Sequence, residues 1–346
     1  MYVHLQPLFA QFATLLRPTA VRAVTGSGFS EAEVFHAATP LGEYALRCWP
    51  AEHPSSGHIR TIHKLLAQAH ERGCTFVPVP VANLHGDTLI EFAGRRWQLE
   101  PWMPGWPDLA TPPVPGHVAA AFRVLGELHR ALTIEGPSPQ RAEASPALLD
   151  RIRVLEACLA GDINRTWTAL RDEPDPQWRD RGRRYFKLFD EGVGATYRLL
   201  QRAAKSDYVL QPVVRDVHRE HILFTDELDL GTTVTGLVDF GAMTVDHPAI
   251  DLARLLGSYE IDEPKERKWR LEIYGLPLEP DERRLIEAFD RSGALLSPFR
   301  WLWWLFVERR TFRDPEAVAR RFDVLLQRLT RLLDDTSSSG DLKLSF

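Results

Sequence analysis

The chain has 346 residues, of which 44% are hydrophobic and 26% are charged, so it can bury a substantial core and has room for two unequal lobes. Its formal net charge of -5 argues against the basic face that nucleic-acid-binding proteins display. Its apolar runs all fall short of the roughly 18 residues that a membrane span requires.

The first hundred residues predict a small sheet interrupted by one helix. Apolar residues recur at three- and four-residue intervals from Ile59 to Ala69, and Gly73 ends the run, which is typical of an amphipathic helix. Short apolar or alternating runs separated by Gly and Pro predict strands at Val21–Val24, Glu33–Ala38, Tyr44–Trp49 and Val77–Val81, and a hairpin of Thr88–Phe92 and Arg96–Glu100.

The composition changes at the proline-dense stretch 101–115, which cannot continue a sheet or a helix and predicts a lobe boundary. We therefore expect an N-terminal lobe at 1–102, a C-terminal lobe at 103–334 and a mobile tail at 335–346. Amphipathic runs predict that the second lobe is mostly helical, with helices at about 116–133, 146–160, 180–205, 249–259, 281–292, 297–311 and 315–334.

One hairpin is predicted inside this helical lobe, from the apolar runs 221–225 and 234–239 and the polar turn between them. Asp216 lies in a loop just before the first strand, and Asp239 lies where the second strand stops. Because a hairpin folds these two ends back together, we expect both carboxylates to reach one ligand at the mouth of a cleft. Phosphoryl transfer needs such a pair, since one acid orients and deprotonates a hydroxyl and the other holds the divalent ion.

These residues resemble a known family. Arg215-Asp216, and then Val238-Asp239-Phe240-Gly241, resemble the catalytic loop and the Asp-Phe-Gly element of protein kinases. The continuation Asp246-His-Pro-Ala-Ile-Asp251-Leu-Ala is similar to the aminoglycoside phosphotransferase and choline kinase superfamily. The resemblance covers roughly residues 20 to 330.

The resemblance implies an α+β, bilobal, protein-kinase-like fold, with a small antiparallel sheet and one main helix in the N-terminal lobe. The larger helical lobe contains the catalytic hairpin. It also implies ATP-dependent transfer of phosphate to a hydroxyl of a small metabolite or an aminoglycoside-like compound. In that reaction Asp216 acts as the catalytic base and Asp239 binds the metal.

The N-terminal lobe carries three further matches to the family. Tyr44-Ala-Leu-Arg47 resembles the strand whose basic residue contacts the α and β phosphates, and Trp97-Gln-Leu-Glu100-Pro-Trp102-Met103 resembles the hinge whose backbone pairs with adenine. The loop that covers the phosphates is matched by a glycine-containing turn. Its predicted nucleotide-binding residues are Gly26, Ser27, Gly28, Phe29 and Ser30.

Five features depart from the family pattern. His221 replaces the usual Asn at the second metal position, and because imidazole binds magnesium poorly, the sequence leaves both Mg²⁺ and Mn²⁺ open. Val214 stands where the family commonly has a His two positions before the catalytic Asp. Arg47 replaces a Lys but can bind phosphate in a bidentate fashion.

Two further departures concern acids near the phosphate site. The helix that should offer Arg47 an acid has none from Gly57 to His70, so either His63 takes that face or the acid is Glu71, which lies too late. Glu31 places a carboxylate beside the phosphate loop, where it would repel phosphate.

Two functions therefore stay open. Intact Asp216 and Asp239 favour a small-molecule kinase, whereas His221, Glu31 and the missing helix acid favour a degenerate kinase fold that binds a nucleotide or ligand with little turnover. The sequence favours core packing over a substrate pocket for Trp301, Trp303 and Trp304, a structural role for Asp251, and an interior position for His129.

The expected compartment and partners follow from composition. Three scattered cysteines do not form a disulfide framework, and the first residues lack the pattern of a signal peptide. We expect a cytoplasmic protein with a small-molecule substrate and with no nucleic-acid or membrane partner. Its oligomeric state is unknown from the sequence.

Overall fold

The computed structural model describes residues 3–24, 32–52, 54–133, 142–227, 231–312 and 314–338. Its strands are β1 (Ala20–Ala23), β2 (Glu33–Thr39), β3 (Gly42–Cys48), β4 (Ile90–Phe92), β5 (Arg95–Pro101), β6 (Trp106–Pro107), β7 (Ala142–Glu143), β8 (Tyr208–Val209), β9 (Gln211–Val213), β10 (Ile222–Glu227), β11 (Gly231–Leu237) and β12 (Thr244–Asp246).

The α-helices are α1 (Gln6–Phe9), α2 (Ser56–Glu71), α3 (Pro115–Leu132), α4 (Pro146–Ala157), α5 (Ile163–Arg171), α6 (Pro176–Ala203), α7 (Ala249–Ser258), α8 (Pro264–Tyr274), α9 (Pro280–Leu302) and α10 (Pro315–Ser338). Short 3-10 turns lie at Val3–Leu5, Thr14–Leu16 and Arg219–His221, and π-helical turns lie at Cys158–Asp162 and Trp303–Val307.

The chain forms two compact units. The first comprises Met1–Glu135, Gln211–Val245 and Arg270–Leu276, and the second comprises Gly136–Leu210, Asp246–Trp269 and Pro277–Phe346. Most strands belong to the first unit, and helices dominate the second.

A five-stranded antiparallel sheet in the order β1-β2-β3-β5-β4 organises the first unit. The predicted strands at 21–24, 33–38 and 44–49 and the hairpin of β4 and β5 are confirmed within one or two residues. That hairpin turns at Ala93 and Gly94, whose φ angles of 50° and 70° match the left-handed turn that tight hairpins favour. In the register between β3 and β5, Arg47 lies opposite Gln98 and Leu46 lies opposite Leu99.

This register gives the sheet an apolar face and a polar face, because successive side chains of a strand point to opposite sides. The apolar face packs against the N-terminal segment, for which the sequence predicted no element. The buried cluster consists of Leu5, Leu8, Phe9, Phe12, Leu16, Phe35, Ala37, Leu46, Cys48, Ile90, Trp97 and Leu99. Arg47, Gln98 and Glu100 alternate with these residues and point to the opposite face.

Helix α2 forms where the sequence predicted it. The Ser55 hydroxyl caps its N-terminus by accepting from the His58 N–H at 3.3 Å. Ile59, Ile62, His63, Leu66 and Ala69 are the buried residues. They recur at the spacing of one helix face, so His63 lies among the core-facing side chains.

The predicted strand at Val77–Val81 is wrong, since these residues have no ladder partner. Pro78 and Pro80 lack the N–H groups that a ladder requires. The Val81 N–H still donates to the Leu99 carbonyl at 2.7 Å, so the segment follows the sheet edge without joining it.

The predicted hairpin is confirmed, but it belongs to the first unit and not to the helix-rich second unit. Strands β10 and β11 pair antiparallel with Ile222 opposite Leu237, and a bulge lies between Leu223 and Phe224. Strand β6 pairs with the outer edge of β10, where Trp106 lies opposite Phe224. The expectation that the proline-rich stretch holds no strand is wrong at this point, because an edge position tolerates Pro107.

In the second unit, the two helices predicted at 281–292 and 297–311 are a single helix, α9, which continues into the π-helical turn at Trp303. The expected break is wrong because tertiary packing outweighs the local helix breakers: α9 runs through Gly293 and Pro298, and Leu295, Leu296 and Phe299 are buried in the core. The Ser292 and Ser297 hydroxyls donate to the carbonyls of Ala288 and Gly293, each at 2.6 Å. The short helices α5 and α8 were not predicted.

The end of the described chain is helical. Helix α10 continues to Ser338, so the first residues of the segment predicted as a mobile tail belong to this helix, and residues 339–346 lie outside the described part. Within that part, every helix is too short or too polar to cross a bilayer.

A buried ion cluster ties three elements of the second unit together. Asp290 on α9 accepts from Arg328 on α10 and from Arg267 on α8, with both N–O distances at 2.7 Å. Burial by itself raises the pKa of the Asp290 carboxyl, but the two guanidinium groups outweigh it and hold the pKa below its ordinary value. The carboxylate is therefore the shared counter-charge of two buried cations.

Replacing Asp290 with Ala should lower the free energy of unfolding by about 3–5 kcal/mol, because two guanidinium groups would stay buried without their shared partner. Urea denaturation of Asp290→Ala would measure the loss. Asp180→Ala is the matched control, because Asp180 pairs with one exposed Arg183 on the helix surface and should change stability by less than about 1 kcal/mol. Equal losses in the two variants would contradict the assignment.

Candidate active site

The loop that carries Asp216 leaves β9 and turns sharply before it reaches β10. Arg215 has a φ of 64°, a left-handed conformation that is uncommon for a residue with a side chain. The 3-10 turn Arg219–His221 then leads directly into β10. Backbone strain of this kind persists only where the surroundings fix it, and it clusters at functional sites.

Asp239 follows the end of β11 and is also left-handed, with a φ of 67°. The preceding N–H, that of Val238, donates to the His221 carbonyl at 2.9 Å and extends the hairpin pairing by one bond. This bond holds the loop after β11 beside the loop before β10. The hairpin therefore joins the two loops that carry the predicted acids.

His221 contacts both of these loops. Its Nδ1 lies 2.9 Å from the Asp216 carbonyl oxygen, and its Nε2 lies 3.9 Å from Asp239 Oδ2. Because a carbonyl only accepts, Nδ1 carries the proton in this contact, and Nε2 is the ring nitrogen that faces Asp239. One imidazole thus spans the distance between Asp216 and Asp239.

His218 is a site residue that the sequence analysis did not identify. Its Nε2 lies 3.1 Å from Asp216 Oδ1, and its ring meets the His221 ring edge to face at 5.4 Å. The Asp216 side chain is 40% exposed, whereas that of His218 is 17% exposed. The sequence feature that could have identified it is a histidine two residues after a loop aspartate. The loop turns this histidine back toward the carboxylate.

Arg47 on β3 reaches the same place from the sheet. One of its terminal nitrogens donates to Asp239 Oδ1 at 3.1 Å, and its Nε lies 3.9 Å from Glu100 Oε1. Only 13% of the Arg47 side chain is exposed. The predicted phosphate-binding cation and the predicted metal ligand are therefore in direct contact.

A hydrogen-bonded chain runs behind Arg47 on the polar face of the sheet. The Gln98 amide nitrogen donates to Glu100 Oε2 at 2.5 Å, and Gln98 Oε1 accepts from the Trp49 indole at 2.7 Å. His63 Nε2 lies 2.9 Å from the same Gln98 oxygen, and His63 Nδ1 lies 2.8 Å from the Thr88 hydroxyl. The Gln98 amide thereby links His63 on helix α2 to Glu100.

Two ionisable groups of this hydrogen-bonded chain, Glu100 and His63, have shifted pKa values. Burial raises the pKa of Glu100, while Arg47 and the Gln98 hydrogen bond lower it and Asp239 raises it further. Burial lowers the pKa of His63, so the neutral ring donates from Nε2 to Gln98 and accepts from Thr88. The groups are buried but fully hydrogen-bonded along the chain.

The two predicted hinge residues have different environments. The Glu100 side chain is 8% exposed and faces Arg47. The Trp102 N–H donates to the Glu43 carbonyl at 3.0 Å, and its ring meets His36 edge to face at 4.7 Å. The backbone pairing with adenine that the sequence analysis assigned to both residues stays a prediction.

A solvent-open cavity with an empty volume of about 280 Å³ lies beside Arg47, Glu100 and Asp239, whereas Asp216 and His221 are not among its lining residues. Its floor includes Gly241, where an added Cβ would lie 3.2 Å from the Trp49 ring. Aliphatic residues of α2 complete the wall. The lining residues are Arg47, Trp49, Ile62, His63, Leu66, Pro78, Gln98, Glu100, Asp239, Phe240 and Gly241.

The glycine-containing loop, with Gly26, Ser27, Gly28, Phe29 and Ser30, falls outside the described residues, as does Glu31.

Of the residues predicted to be structural, His129 is fully buried and its Nδ1 lies 2.8 Å from the Tyr274 hydroxyl. Asp251 is fully buried on α7, and Trp301 is 8% exposed. The interior position of His129 and the core packing of Trp301 are therefore confirmed, while Trp303 and Trp304 are half-buried beneath exposed arginines. The structural role of Asp251 stays a prediction.

The donors suited to a divalent ion are few. Within the described residues, His, Cys, Asp and Glu side chains do not form a group of three or more that could hold a metal. Asp239 offers Oδ2, and His221 offers Nε2 beside it. This set fits an ion held mainly by phosphate oxygens and water, which is how Mg²⁺ usually binds at phosphoryl-transfer sites.

A family model described as "Phosphotransferase enzyme family" matches residues 22–288, which is more than half of the chain. A comparison with curated protein sequences finds no match. The family match includes the sheet, the hairpin and Asp216, Asp239 and Arg47.

Solved structures match almost the whole chain. A spectinomycin phosphotransferase in complex with ADP and spectinomycin has a TM-score of 0.64 at 11% identity, over 90% of this chain and 92% of that one. A microcompartment-associated aminopropanol kinase has a TM-score of 0.64 at 15% identity, over 98% of each chain. An amicoumacin kinase in complex with AMP-PNP, Ca²⁺ and its ligand has a TM-score of 0.60 at 15% identity, over 94% and 90%. The predicted α+β, kinase-like fold is confirmed.

Glu100 should make stability depend on pH in a defined direction. Because its pKa is raised in the folded protein, the folded state holds a proton that the unfolded state loses, and stability falls as pH rises above about 4.5. The Glu100→Gln variant cannot lose this proton, so its stability relative to the natural protein should increase with pH.

Denaturant unfolding of both proteins between pH 4 and 9 would measure this difference. Glu316→Gln is the control, since Glu316 is exposed on the surface and its variant should follow the natural protein at every pH. A constant difference between Glu100→Gln and the natural protein would contradict the raised pKa.

Proposed function

We propose that this chain, which belongs to the phosphotransferase enzyme family, transfers the γ-phosphoryl group of ATP to a hydroxyl group on a small molecule. The observation that carries the proposal is the bridging position of His221 between the Asp216 loop and the Asp239 carboxylate. Phosphoryl transfer needs one acid at the attacking hydroxyl and another at the metal and phosphates, and this contact ties the backbone that carries Asp216 to the Asp239 carboxylate.

Asp216 is the proposed general base. Its side chain is 40% exposed, so an acceptor hydroxyl can approach it. The His218 Nε2 contact at 3.1 Å holds one carboxylate oxygen, which fixes the side-chain rotamer. A carboxylate in a fixed orientation accepts the hydroxyl proton while the oxygen attacks the phosphorus.

Arg47 is the proposed phosphate-binding residue. Its guanidinium stays protonated at any working pH and can donate two parallel hydrogen bonds to phosphate oxygens. Its terminal nitrogen already donates to Asp239 Oδ1, which puts the cation beside the proposed metal ligand. Arg47 would therefore neutralise phosphate charge on the side of the site that faces the sheet.

Asp239 would hold the metal ion, with His221 Nε2 as a second donor beside it. When bound, Mg²⁺ or Mn²⁺ neutralises the charge that develops on the phosphate oxygens. The spectinomycin phosphotransferase was solved with ADP, and the amicoumacin kinase was solved with AMP-PNP and Ca²⁺. These complexes support a nucleotide and a divalent ion as the ligands of the present site.

The proposed acceptor is a small molecule with an alcohol group. The relatives with the same fold are named for spectinomycin, aminopropanol and amicoumacin, which are chemically diverse. At 11–15% identity, the fold likeness supports the reaction class more strongly than it supports any particular acceptor. Amino alcohols, aminoglycosides and sugars are the first classes to test.

A nucleotide-binding protein with little turnover is the second candidate. The observation that favours it is the ion pair between Arg47 and Asp239, because both groups would have to exchange partners before phosphate and metal bind. A thermal-shift series with ATP and either Mg²⁺ or Mn²⁺, repeated on Asp239→Ala, would show whether this exchange occurs. A shift without turnover of any acceptor would favour the second candidate.

The Asp216→Asn variant should lower kcat by about 10²–10⁴-fold and leave nucleotide binding intact, because the amide keeps the shape but cannot accept the proton. ATP consumption with the best acceptor of the panel measures this effect. Asp87→Asn is the control, since Asp87 is an exposed loop residue in the same unit and should retain full activity. Retained activity in Asp216→Asn would remove Asp216 from the reaction.

The His221→Asn variant should shift the metal preference toward Mg²⁺, because an amide oxygen is a harder ligand than an imidazole nitrogen. We expect the ratio of kcat/KM with Mn²⁺ to kcat/KM with Mg²⁺ to fall by about tenfold. Titrating both metals against activity gives this ratio. His85→Asn, at an exposed histidine, should leave it unchanged, and an unchanged ratio in His221→Asn would mean that His221 does not touch the ion.

A further inference from the structure

Arg47 is a buried cation whose acidic partner does not come from the helix. Helix α2 lies beside the cavity, but its one acid, Glu71, is the last residue of the helix and does not pair with Arg47. In the described part of the chain, the carboxylates within 4 Å of Arg47 are those of Glu100 and Asp239. If Asp239 binds a metal, Glu100 is the partner that stays with Arg47.

The sheet itself determines that Glu100 faces Arg47. Gln98 lies directly opposite Arg47 in the antiparallel register, and Glu100 lies two positions further along β5. Residues two apart on a strand share a face, so Arg47, Gln98 and Glu100 all point into the cavity. The contact between Arg47 Nε and Glu100 Oε1 at 3.9 Å follows from this register.

Gln98 fixes the orientation of the Glu100 carboxylate. Its Oε1 receives the Trp49 indole N–H and the His63 ring N–H, so its amide nitrogen must point the other way, toward Glu100. Because the amide oxygen accepts both of these hydrogen bonds, only one of the two possible orientations of the Gln98 amide satisfies its neighbours. His63 on α2 therefore acts on Glu100 through Gln98.

The two carboxylates lie at different edges of the same guanidinium, Asp239 at hydrogen-bond distance and Glu100 at the longer ion-pair distance of 3.9 Å. Glu100 lies at the Nε edge, whereas Asp239 lies at a terminal nitrogen. Because the guanidinium is planar and rigid, holding its Nε edge determines the direction in which the terminal nitrogens point. They point toward Asp239, the side on which phosphate and metal would bind.

We propose that Glu100, oriented by Gln98 and His63, is the positioning residue for Arg47 and takes the place of the helix acid that this chain lacks. The inference rests on the proposed function, because Arg47 must bind phosphate for its position to affect the reaction. It assigns Glu100 a role through its side chain. It also gives His63 a role at the position on α2 where an acid was expected.

The first test is kinetic. In Glu100→Gln the side chain keeps its size but loses its charge, so we expect the KM for ATP at pH 8 to rise about tenfold while the KM for the acceptor stays unchanged. Glu100→Asp, which keeps the charge, should recover part of the loss, and Gln98→Leu should raise the KM for ATP in the same direction. Glu43→Gln is the control, because Glu43 lies on β3 with an exposed side chain.

A merely structural role for Glu100 predicts a different result. Glu100→Gln would then change the thermal midpoint and leave the KM for ATP unchanged, and that outcome would overturn the proposal. Equal effects of Glu43→Gln and Glu100→Gln on the KM for ATP would overturn it as well. The effect would then follow from any loss of charge on the sheet and not from Glu100 in particular.

The second test needs no nucleotide, so it remains decisive if the protein proves inactive. Urea midpoints are measured for Arg47→Met, Glu100→Gln and the double variant. If Glu100 holds Arg47, the two changes are non-additive, because the second removes a partner that is already gone. Additive changes would overturn the pairing. Absence of turnover in the natural protein would sink the proposed function, and this cycle would still decide whether Glu100 holds Arg47.

Discussion

The antiparallel pairing of β10 and β11 is the constraint on which the candidate site depends. It brings the loop before β10 and the loop after β11 side by side, and the Val238 N–H to His221 carbonyl bond extends this pairing beyond the last ladder residues. Each loop contains a residue with a left-handed backbone conformation: Arg215, next to Asp216, in the first loop, and Asp239 in the second. Without the hairpin, nothing local in the chain would bring the Asp216 backbone and the Asp239 carboxylate to one imidazole, that of His221.

Electrostatics explains why Arg47 completes the arrangement. A buried guanidinium is costly unless it is paired, and here two carboxylates satisfy different edges of it. The raised pKa of Glu100 shows the cost of its burial, which Arg47 and Gln98 partly offset. A phosphate group and a metal ion would redistribute these partners without leaving any charge unpaired, since Glu100 would remain with Arg47.

The family match supports a phosphotransferase, and the fold likeness shows the kinase-like fold. Relatives with the same fold are named for spectinomycin, aminopropanol and amicoumacin, which agrees with the general rule that a fold does not determine a substrate. His221 and Arg47, which depart from the family pattern in donor chemistry, both lie beside Asp239. The two departures therefore meet at the same carboxylate.

The sequence by itself determined the local elements and the pair of acids, because alternation, helical periodicity and glycine or proline punctuation are properties of short segments. The prediction failed at Val77–Val81, where prolines remove the N–H groups that a ladder needs. It also failed at α9, where the Ser292 and Ser297 hydroxyls donate to carbonyls of the same helix. Only the tertiary structure decided that Glu100 faces Arg47 and that His218 turns back to Asp216. Those contacts depend on the register between strands and on the path of a loop, and neither is encoded in the composition of the segment that contains the residue.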